Sequence, residues 1–510
     1  MVNQETELKL AVTPRTLARL AVDPMLGAAG GGAQRMVALY FDTPRFALWR
    51  RGVSLRLRRE RRRWVQTVKG GGAFEAGLHR RIEIEHPVRR PAPDVALLGD
   101  HELGKLVARV AGRAALVPAF RVEVERATHI VSPAAGVRIE VSIDRGRIHA
   151  GGARAAVSEI ELELKQGPAW RLFELALAIA ARYAVRLEHR SKAERGYELA
   201  GGARPAPARA RLGIVQPEMS VNDAFKSVCW TCLNHLQANH RGVIGGEDPE
   251  YLHQARVALR RLRSGLDAFA QLIEEEALEP QVATVRELSR SLGPARDWDV
   301  LAVETLAPVM QQFPGHRGLA ALERACARLR QEANAGAQRS LASRRYTRLV
   351  LSLGGWLCRE PWLEGAGRKA ARRWQAPARD YAAEALNRYY RRVIKRGRGI
   401  GSVSLPQLHR LRIAAKKLRY AAGYFAPLFA RRRAKPMMDA LNDLQDVLGA
   451  INDCSAAPAL IEAATRAARG PMREQARVIV SHWNAATLQE RRRELKRTWK
   501  IFRRCDPFWT

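Results

Sequence analysis

Between residues 5 and 165 the chain repeatedly sets charged side chains two positions apart on short segments of strand composition, bounded by Gly, Pro and Asp-rich turns. Successive side chains of a strand point to opposite faces, so this spacing collects the charges on one face of each segment. In Glu5-Thr6-Glu7-Leu8-Lys9 the two glutamates and the lysine share one side, and Thr6 and Leu8 the other. The pattern returns at 54–58, 64–69, 81–85, 120–125, 138–144 and 158–165. Apolar positions such as Leu55, Leu57, Ile82, Ile84, Val122, Val124, Ile160 and Leu162 would face a core. The opposite face carries Arg56, Arg58, Lys69, Glu83, Glu85, Arg121, Glu123, Glu140, Asp144, Glu159, Glu161, Glu163 and Lys165. An ordinary half-buried sheet mixes Thr, Ser, Gln and Asn into its outward face, whereas this one is almost purely ionic. Such charges balance one another if the sheet closes into a barrel with that face inward. The cations suit phosphoryl oxygens, and the carboxylates suit a hard divalent metal such as Mg²⁺.

This pattern stops near residue 200. Residues 201–217, with Gly201-Gly202-Ala203-Arg204-Pro205-Ala206-Pro207, have the composition of a linker. Beyond about Pro217, apolar residues fall three and four apart over long stretches with few prolines, which predicts an all-helical second half. The first half predicts a mainly antiparallel β domain with helical interruptions at 17–20 and 170–183. The 510 residues are thus expected to form an α+β, two-domain protein.

Lys and Arg number 87 against 51 Asp and Glu, a formal charge of +36, which points to a polyanionic partner. Six scattered cysteines do not make a disulfide framework, and the longest apolar run is too short to span a bilayer. No membrane role and a cytoplasmic setting are the expectation.

The ionic segments, taken in order, resemble the CYTH superfamily of triphosphate tunnel metalloenzymes. Glu5 to Lys9 matches its E-x-E-x-K signature, and Arg56 with Arg58 its L-R-x-R strand. Thr67-Val68-Lys69-Gly70 matches T-x-K-G, and Arg81-Ile82-Glu83-Ile84-Glu85 matches R-x-E-x-E. Asp144-Arg145-Gly146 matches the D-x-G turn, Glu159 to Glu163 the late acidic strand, and Ser191 to Tyr197 the closing S-K-x-x-R-G-Y. The resemblance covers residues 1–200 and implies an eight-stranded antiparallel tunnel with flanking helices that cleaves a linear triphosphate with Mg²⁺ or Mn²⁺. It implies that Glu5, Glu7 and Lys9 serve catalysis, and that Lys9, Arg56, Arg58, Lys69, Arg121 and Lys192 bind phosphate. Glu5, Glu7, Glu83, Asp144, Glu159 and Glu161 would hold metal or orient water, and which two of Glu159, Glu161 and Glu163 are ligands stays open. The Gly-rich segment between Val65 and Glu85 looks most like bacterial inorganic triphosphatases, which favours tripolyphosphate. A class IV adenylyl cyclase, a thiamine or nucleoside triphosphatase, and a non-enzymatic polyphosphate- or RNA-binding protein are the alternatives. Gly70 to Gly72 reads as a hairpin connection rather than a nucleotide loop.

The helical half contains a repeat. His253-Gln254-Ala255-Arg256-Val257-Ala258-Leu259-Arg260 aligns with His409-Arg410-Leu411-Arg412-Ile413-Ala414-Ala415-Lys416, an offset of 409 − 253 = 156, and Leu292-Gly293 aligns with Leu448-Gly449 at the same offset. Each unit carries a basic stripe on one helix face: His253, Arg256, Arg260 and Arg263, then His409, Arg412, Lys416 and Arg419. Paired stripes of this kind resemble the CHAD domain over residues 218–510, with repeat units at about 218–355 and 366–510. That resemblance implies two pseudo-symmetric four-helix bundles whose stripes bind inorganic polyphosphate. The lone Cys229-Trp230-Thr231-Cys232 pair reads as helix-core cysteines, and 387–398, where basic residues interleave with Tyr389 and Tyr390, suits nucleic acid and equally the flank of a polyphosphate groove.

Overall fold

The computed structural model describes residues 2–27, 32–60, 63–75, 77–202, 206–211, 213–246, 248–365 and 367–510, so part of the expected linker at 203–205 and 212 lies outside the described residues. The first 200 residues form β1 (Val2–Val12), α1 (Pro14–Leu20), β2 (Gln34–Asp42), β3 (Val53–Glu60), β4 (Arg63–Glu75), β5 (Leu78–Val88), α2 (Glu102–Ala111), β6 (Val117–Val131), β7 (Arg138–Ala150), β8 (Ala153–Gln166), α3 (Trp170–Arg182), β9 (Val185–Leu187) and α4 (Lys192–Leu199). The remainder is helical: α5 (Val221–Gly245), α6 (Pro249–Phe269), α7 (Glu275–Ser291), α8 (Gly293–Val300), α9 (Ala307–Gln312), α10 (Arg317–Ala342), α11 (Arg344–Arg359), α12 (Arg368–Gln375), α13 (Ala378–Arg396), α14 (Leu405–Phe425), α15 (Arg431–Ala467) and α16 (Arg473–Arg504). Two compact units result, Met1–Pro207 with Ala342–Glu360, and Ala208–Leu341 with Pro361–Thr510. Among the described residues no helix is long and apolar enough to cross a membrane.

In the first unit eight antiparallel strands run β5-β4-β3-β2-β6-β7-β8-β1, and β1 closes the barrel by pairing with both β8 and β5. Closure leaves no edge to satisfy, and β9 adds only a short extension on the far end of β1. On the outer face Leu55, Leu57, Val68 and Ile84 are buried under Leu103, Val107 and Val110 of α2. Gly70 permits that approach, because a Cβ there would stand 3.0 Å from Leu103. Gly70 to Gly72, expected to be a hairpin connection, instead lies inside β4 at a bulge, and the β4–β5 connection comes after residue 75. Phe173 of α3 packs on Gly354 and Gly355 of α11, which bury Leu349, Val350, Leu353 and Leu357 around it. The repeat spacing assigns α11 to the first helical repeat; its wide apolar face joins the barrel unit instead.

One end of the barrel is filled by apolar side chains. Tyr40, Phe120, Val122, Val124, Ile148 and Val157 gather with Ala193 and Tyr197 of α4 in one buried cluster. Gly196 lets α4 enter, since a Cβ there would meet the Phe120 ring at 2.1 Å. The Asp144-Arg145-Gly146 segment, expected as a turn, runs through the middle of β7. Its glycine is required by backbone contact: a Cβ at Gly146 would stand 1.9 Å from the Glu123 carbonyl oxygen.

The second unit reproduces the 156-residue offset in its element boundaries. Helix α6 spans 249–269 and α14 spans 405–425; the 3-10 turns that follow begin at 270 and 426, and α7 and α15 at 275 and 431. The symmetry-related Phe269 and Phe425 meet at 5.8 Å between ring centres. The starts of α5 and α13 are joined by reciprocal backbone bonds, Val221 N–H to Ala376 at 2.9 Å and Ala378 N–H to Met219 at 3.0 Å. The copies differ where Pro294, which lacks an amide hydrogen, restarts the chain as α8, whereas Ala450 lets α15 continue. Cys229 and Cys232 are buried free thiols on α5.

Two glycines test this packing. Gly146→Ala is expected to cost about 4 kcal/mol or more, or to prevent folding, because β6 cannot keep its register. Gly449→Ala, whose added Cβ meets nothing within 4 Å, is expected to stabilise by about 0.5–1 kcal/mol. Urea denaturation of both variants checks the contrast; equal effects would contradict the packing described.

Candidate functional site

The charged part of the barrel lumen is built from the inward faces of β1, β3, β4, β5, β6, β7 and β8. Glu5, Glu7, Lys9, Asp144 and Glu159 are all buried. Lys9 pairs with Glu7 and, at 2.9 Å, with Glu161. Lys69 pairs with Glu5 at 2.6 Å and Glu83 at 3.1 Å, and Arg56 with Glu83 at 3.3 Å. Arg58 reaches Glu85 at 3.6 Å. The three charges of the opening Glu5 to Lys9 segment therefore point inward.

A second knot lies beside α4. Lys192 contacts Asp144 at 2.5 Å, Glu159 at 2.6 Å and Glu161 at 3.0 Å, and Arg195 contacts Glu159 at 2.8 Å. Ser191 caps α4 in a reciprocal box with Glu194, which fixes the helix start and so aims Lys192 into the carboxylates. The S-K-x-x-R-G-Y motif thus splits into cap, two lumen cations, a close approach and a buried ring.

Arg121, expected to bind phosphate, lies on the outer face, 49% exposed and paired to Glu123 at 3.0 Å. The correction follows from parity: Phe120, Val122 and Val124 face inward against α4, so the odd positions of β6 face out. The lumen cation of β6 is Arg126, which the sequence motifs do not single out. It grips Asp144 with two bonds of 2.7 and 2.6 Å and reaches Glu161 at 2.5 Å. Its signal is even parity with Val124, obscured because those apolar residues look like core.

The electrostatics keep these groups charged. Burial alone would raise the Glu7 carboxyl, but Lys9 overrides it and holds the group at about 2. Burial disfavours the Lys9 ammonium, yet Glu161 and Glu7 hold its pKa above the ordinary value, and Asp144 does the same for Lys192. Glu161 is likewise held well below the usual carboxylate range against burial by Lys192, Lys9 and Arg126. His79, next to Arg81 on β5, is pushed down to about 3 by burial and by that guanidinium.

Of the six expected ligands, Asp144, Glu159 and Glu161 bring carboxylate oxygens within 4.8 Å of one another. Glu5 and Glu83 share Lys69, and Glu7 joins the cluster through Lys9. Glu163 stands apart, paired with Lys165 at 2.6 Å. An all-oxygen carboxylate set, buried at Asp144 and Glu159 and half-buried at Glu161, fits a hard divalent ion such as Mg²⁺ or Mn²⁺. Along β8 side-chain exposure rises from 1% at Glu159 to 14% at Glu161 and 33% at Lys165, so the lumen opens at the end away from α4.

In the helical unit both stripes line one cavity of about 800 Å³: Arg256, Arg260 and Arg263 from α6, and His409, Arg412 and Lys416 from α14. His253 and Arg419 are not among its walls. His409 is fixed by Asn452 at 2.8 Å, and Arg256 donates to the Leu292 carbonyl. No carboxylate lies within ion-pair distance of Arg256, Arg260, Arg263, Arg412 or Lys416 among the described residues, and the Nε atoms of Arg256 and Arg260 are buried without a partner. Burial and the surrounding Arg260, Arg412 and Arg263 push the Lys416 ammonium down to about 6, and burial with Arg260 takes Arg256 to about 10. The lumen is an ionic set neutralised from within; the cavity walls also hold Asp267, Glu275 and Glu279, but Asp267 pairs with Lys417 at 2.5 Å and Glu279 with Arg286 at 3.5 Å, and the stripe cations are left unneutralised.

Known proteins divide along the same line. The CYTH domain model matches residues 3–197, and the CHAD domain model residues 227–462. An inorganic triphosphatase of Haemophilus influenzae is 31% identical over 205 residues, 38% of this chain and 55% of that protein, so the chain spans about half the length of that relative. An uncharacterized Mycobacterium tuberculosis protein, MT2285, is 26% identical over 469 residues, 81% of this chain and 80% of its own length. The crystal structure of the CHAD domain from the plant Ricinus communis superposes with a TM-score of 0.51 at 28% identity, covering 59% of this chain and 98% of that one. The chain carries a CYTH domain followed by a CHAD domain.

Proposed function

We propose that the barrel hydrolyses inorganic tripolyphosphate with a divalent metal, and that the helical cavity binds inorganic polyphosphate. The observation that carries the first part is the meeting of Asp144, Glu159 and Glu161 within 4.8 Å, in a lumen that also holds Lys9, Arg126 and Lys192. Asp144, Glu159 and Glu161 would hold the metal, which when bound neutralises phosphate charge and acidifies a water. Lys9, Lys69, Arg56, Arg58 and Lys192 bind the phosphate oxygens; the strand pairings fix the spacing of the first four and the capped start of α4 that of Lys192. Each cation already has a carboxylate partner, so substrate exchanges one anionic partner for another, and the carboxylates released from Lys192 are those that the divalent metal would take up. Glu7, held ionised, accepts a hydrogen bond from the attacking water and orients it. Catalysis on this account is positioning plus charge neutralisation, with no covalent intermediate. The 31% identity to an inorganic triphosphatase across the barrel supports the same reading. For the cavity, the unneutralised cations are the support: a flexible chain with about one charge per phosphate satisfies them without a carboxylate inside the protein.

Glu161→Gln keeps the shape of the side chain and removes its charge; tripolyphosphate turnover is expected to fall by about 100-fold or more, with Mn²⁺ affinity by electron paramagnetic resonance falling in parallel. Unchanged Mn²⁺ binding would contradict the ligand assignment. Arg121→Ala is expected to leave KM for tripolyphosphate unchanged, whereas Arg126→Met raises it; steady-state kinetics decide, and the reverse order would return Arg121 to the site.

Lys416 makes the cavity pH-dependent. Its folded-state value, about 6 against an ordinary 10.5, means the fold favours the neutral amine, a cost to stability that grows as pH falls from 10.5 towards 6. A bound polyanion reverses that preference, so binding at pH 8 is expected to take up protons and to weaken as pH rises. Calorimetry in two buffers of different ionisation enthalpy measures the uptake. Lys416→Met should abolish most of it, and an uptake identical in that variant would refute the assignment.

A further inference from the structure

A second basic surface of the helical unit is not used by the cavity. Residues 388–398 of α13 and its C-terminal turn hold six Arg or Lys and no acid, and residues 495–504 of α16 hold five and no acid. The two runs lie side by side. Tyr390 meets Phe502 at 6.0 Å between ring centres, and a Cβ at Gly397 would stand 2.0 Å from the Trp499 ring, so the helices cross in direct contact there. Around this crossing Lys395, Arg398, Lys496, Arg497, Lys500 and Arg503 are exposed, and none has a carboxylate at ion-pair distance among the described residues. On α16 Lys496, Lys500 and Arg503 recur at intervals of four and three residues, a row with a charge about every 5 Å along the axis. The walls of the polyphosphate cavity include none of these residues.

We infer that this crossing is a docking surface for the backbone of a nucleic acid, independent of the polyphosphate cavity. The surface is open, so it accepts a double helix, which a cavity of about 800 Å³ cannot. Eight of the eleven cations are Arg, whose planar fork matches the two free oxygens of a phosphodiester. Two adjacent rows without acids meet the high, regular charge density of a duplex. Ile501 is the one large apolar side chain exposed on either run, too little apolar surface for insertion into a bilayer. The match is between two rows of charge and the phosphates, so the recognition inferred is of the backbone.

The test uses the full chain, a fluorescent mixed-sequence DNA duplex read by anisotropy over a salt series, and long-chain polyphosphate as the second ligand. The triple variant Lys395→Glu, Lys496→Glu, Lys500→Glu is expected to weaken duplex binding about tenfold or more and to lower the salt slope by about 0.9 for each phosphate it no longer neutralises. Its polyphosphate affinity is expected to stay as in the unsubstituted chain. Arg260→Glu with Lys416→Glu is expected to do the opposite. A melting temperature equal to that of the unsubstituted chain certifies the fold, and Gln in place of Glu serves if the reversal unfolds it. The inference is overturned if the unsubstituted chain does not bind duplex at physiological salt, if the triple variant binds it unchanged, or if the triple variant loses polyphosphate as well. Vesicles of phosphatidylserine captured through these three lysines, with no duplex binding, would overturn it in favour of a membrane.

Discussion

Lys9, buried between Glu7 and Glu161, sets the terms for the first unit. A buried ion pair stripped of one partner costs about 3–5 kcal/mol, so each charge inside the barrel must be answered by another whose position the fold guarantees. Closure of β1 on both β5 and β8 supplies that guarantee, because Glu161 on Lys9 and Glu5 on Lys69 come from strands distant in sequence. One end of the closed barrel holds an apolar plug that α4 completes while delivering Lys192 and Arg195 to the acids. An open sheet with this sequence would leave the ionic face hydrated and would part Lys69 of β4 from Glu5 of β1, whereas Asp144 and Glu159, direct partners in the β7–β8 ladder, would still meet.

The helical unit solves the opposite problem. Its stripes come from two copies of one helix, α6 and α14, brought face to face by the pseudo-twofold that Phe269 and Phe425 mark. Symmetry duplicates the cations without supplying counter-charges, and the depressed Lys416 ammonium reports the resulting field. On the proposed function, the neutralised lumen turns over a short anion through exchange of partners and the unneutralised stripes of the cavity retain a long one. This division follows from where the carboxylates are, not from the net charge of +36, which counts the whole chain.

Much of this was legible in the sequence, because strand alternation and a 156-residue offset are local and additive signals. The inward orientation of Glu5, Glu7 and Lys9, the barrel, and the pairing of α6 with α14 all follow from them. What the periodicity could not show is which face of β6 is the inside. Val122 and Val124 look like core whichever way they point, and only the entry of α4 into the barrel turns them inward, placing Arg121 outside and Arg126 within. The glycines Gly146 and Gly196 carry the same kind of information, since their meaning is a backbone and a ring that arrive from elsewhere. The placement of α11 was hidden for a related reason: its apolar face says that it packs, and not on what.

The central claim is that the lumen is a metal-dependent triphosphate site. The most direct measurement is phosphate release by the unsubstituted chain from tripolyphosphate and from ATP, with Mg²⁺ or Mn²⁺ and again after chelation by EDTA. The account predicts release of orthophosphate and pyrophosphate from tripolyphosphate, much slower release from ATP, and loss of both on chelation. Absence of turnover with either substrate, or conversion of ATP to a cyclic nucleotide without orthophosphate, would contradict it.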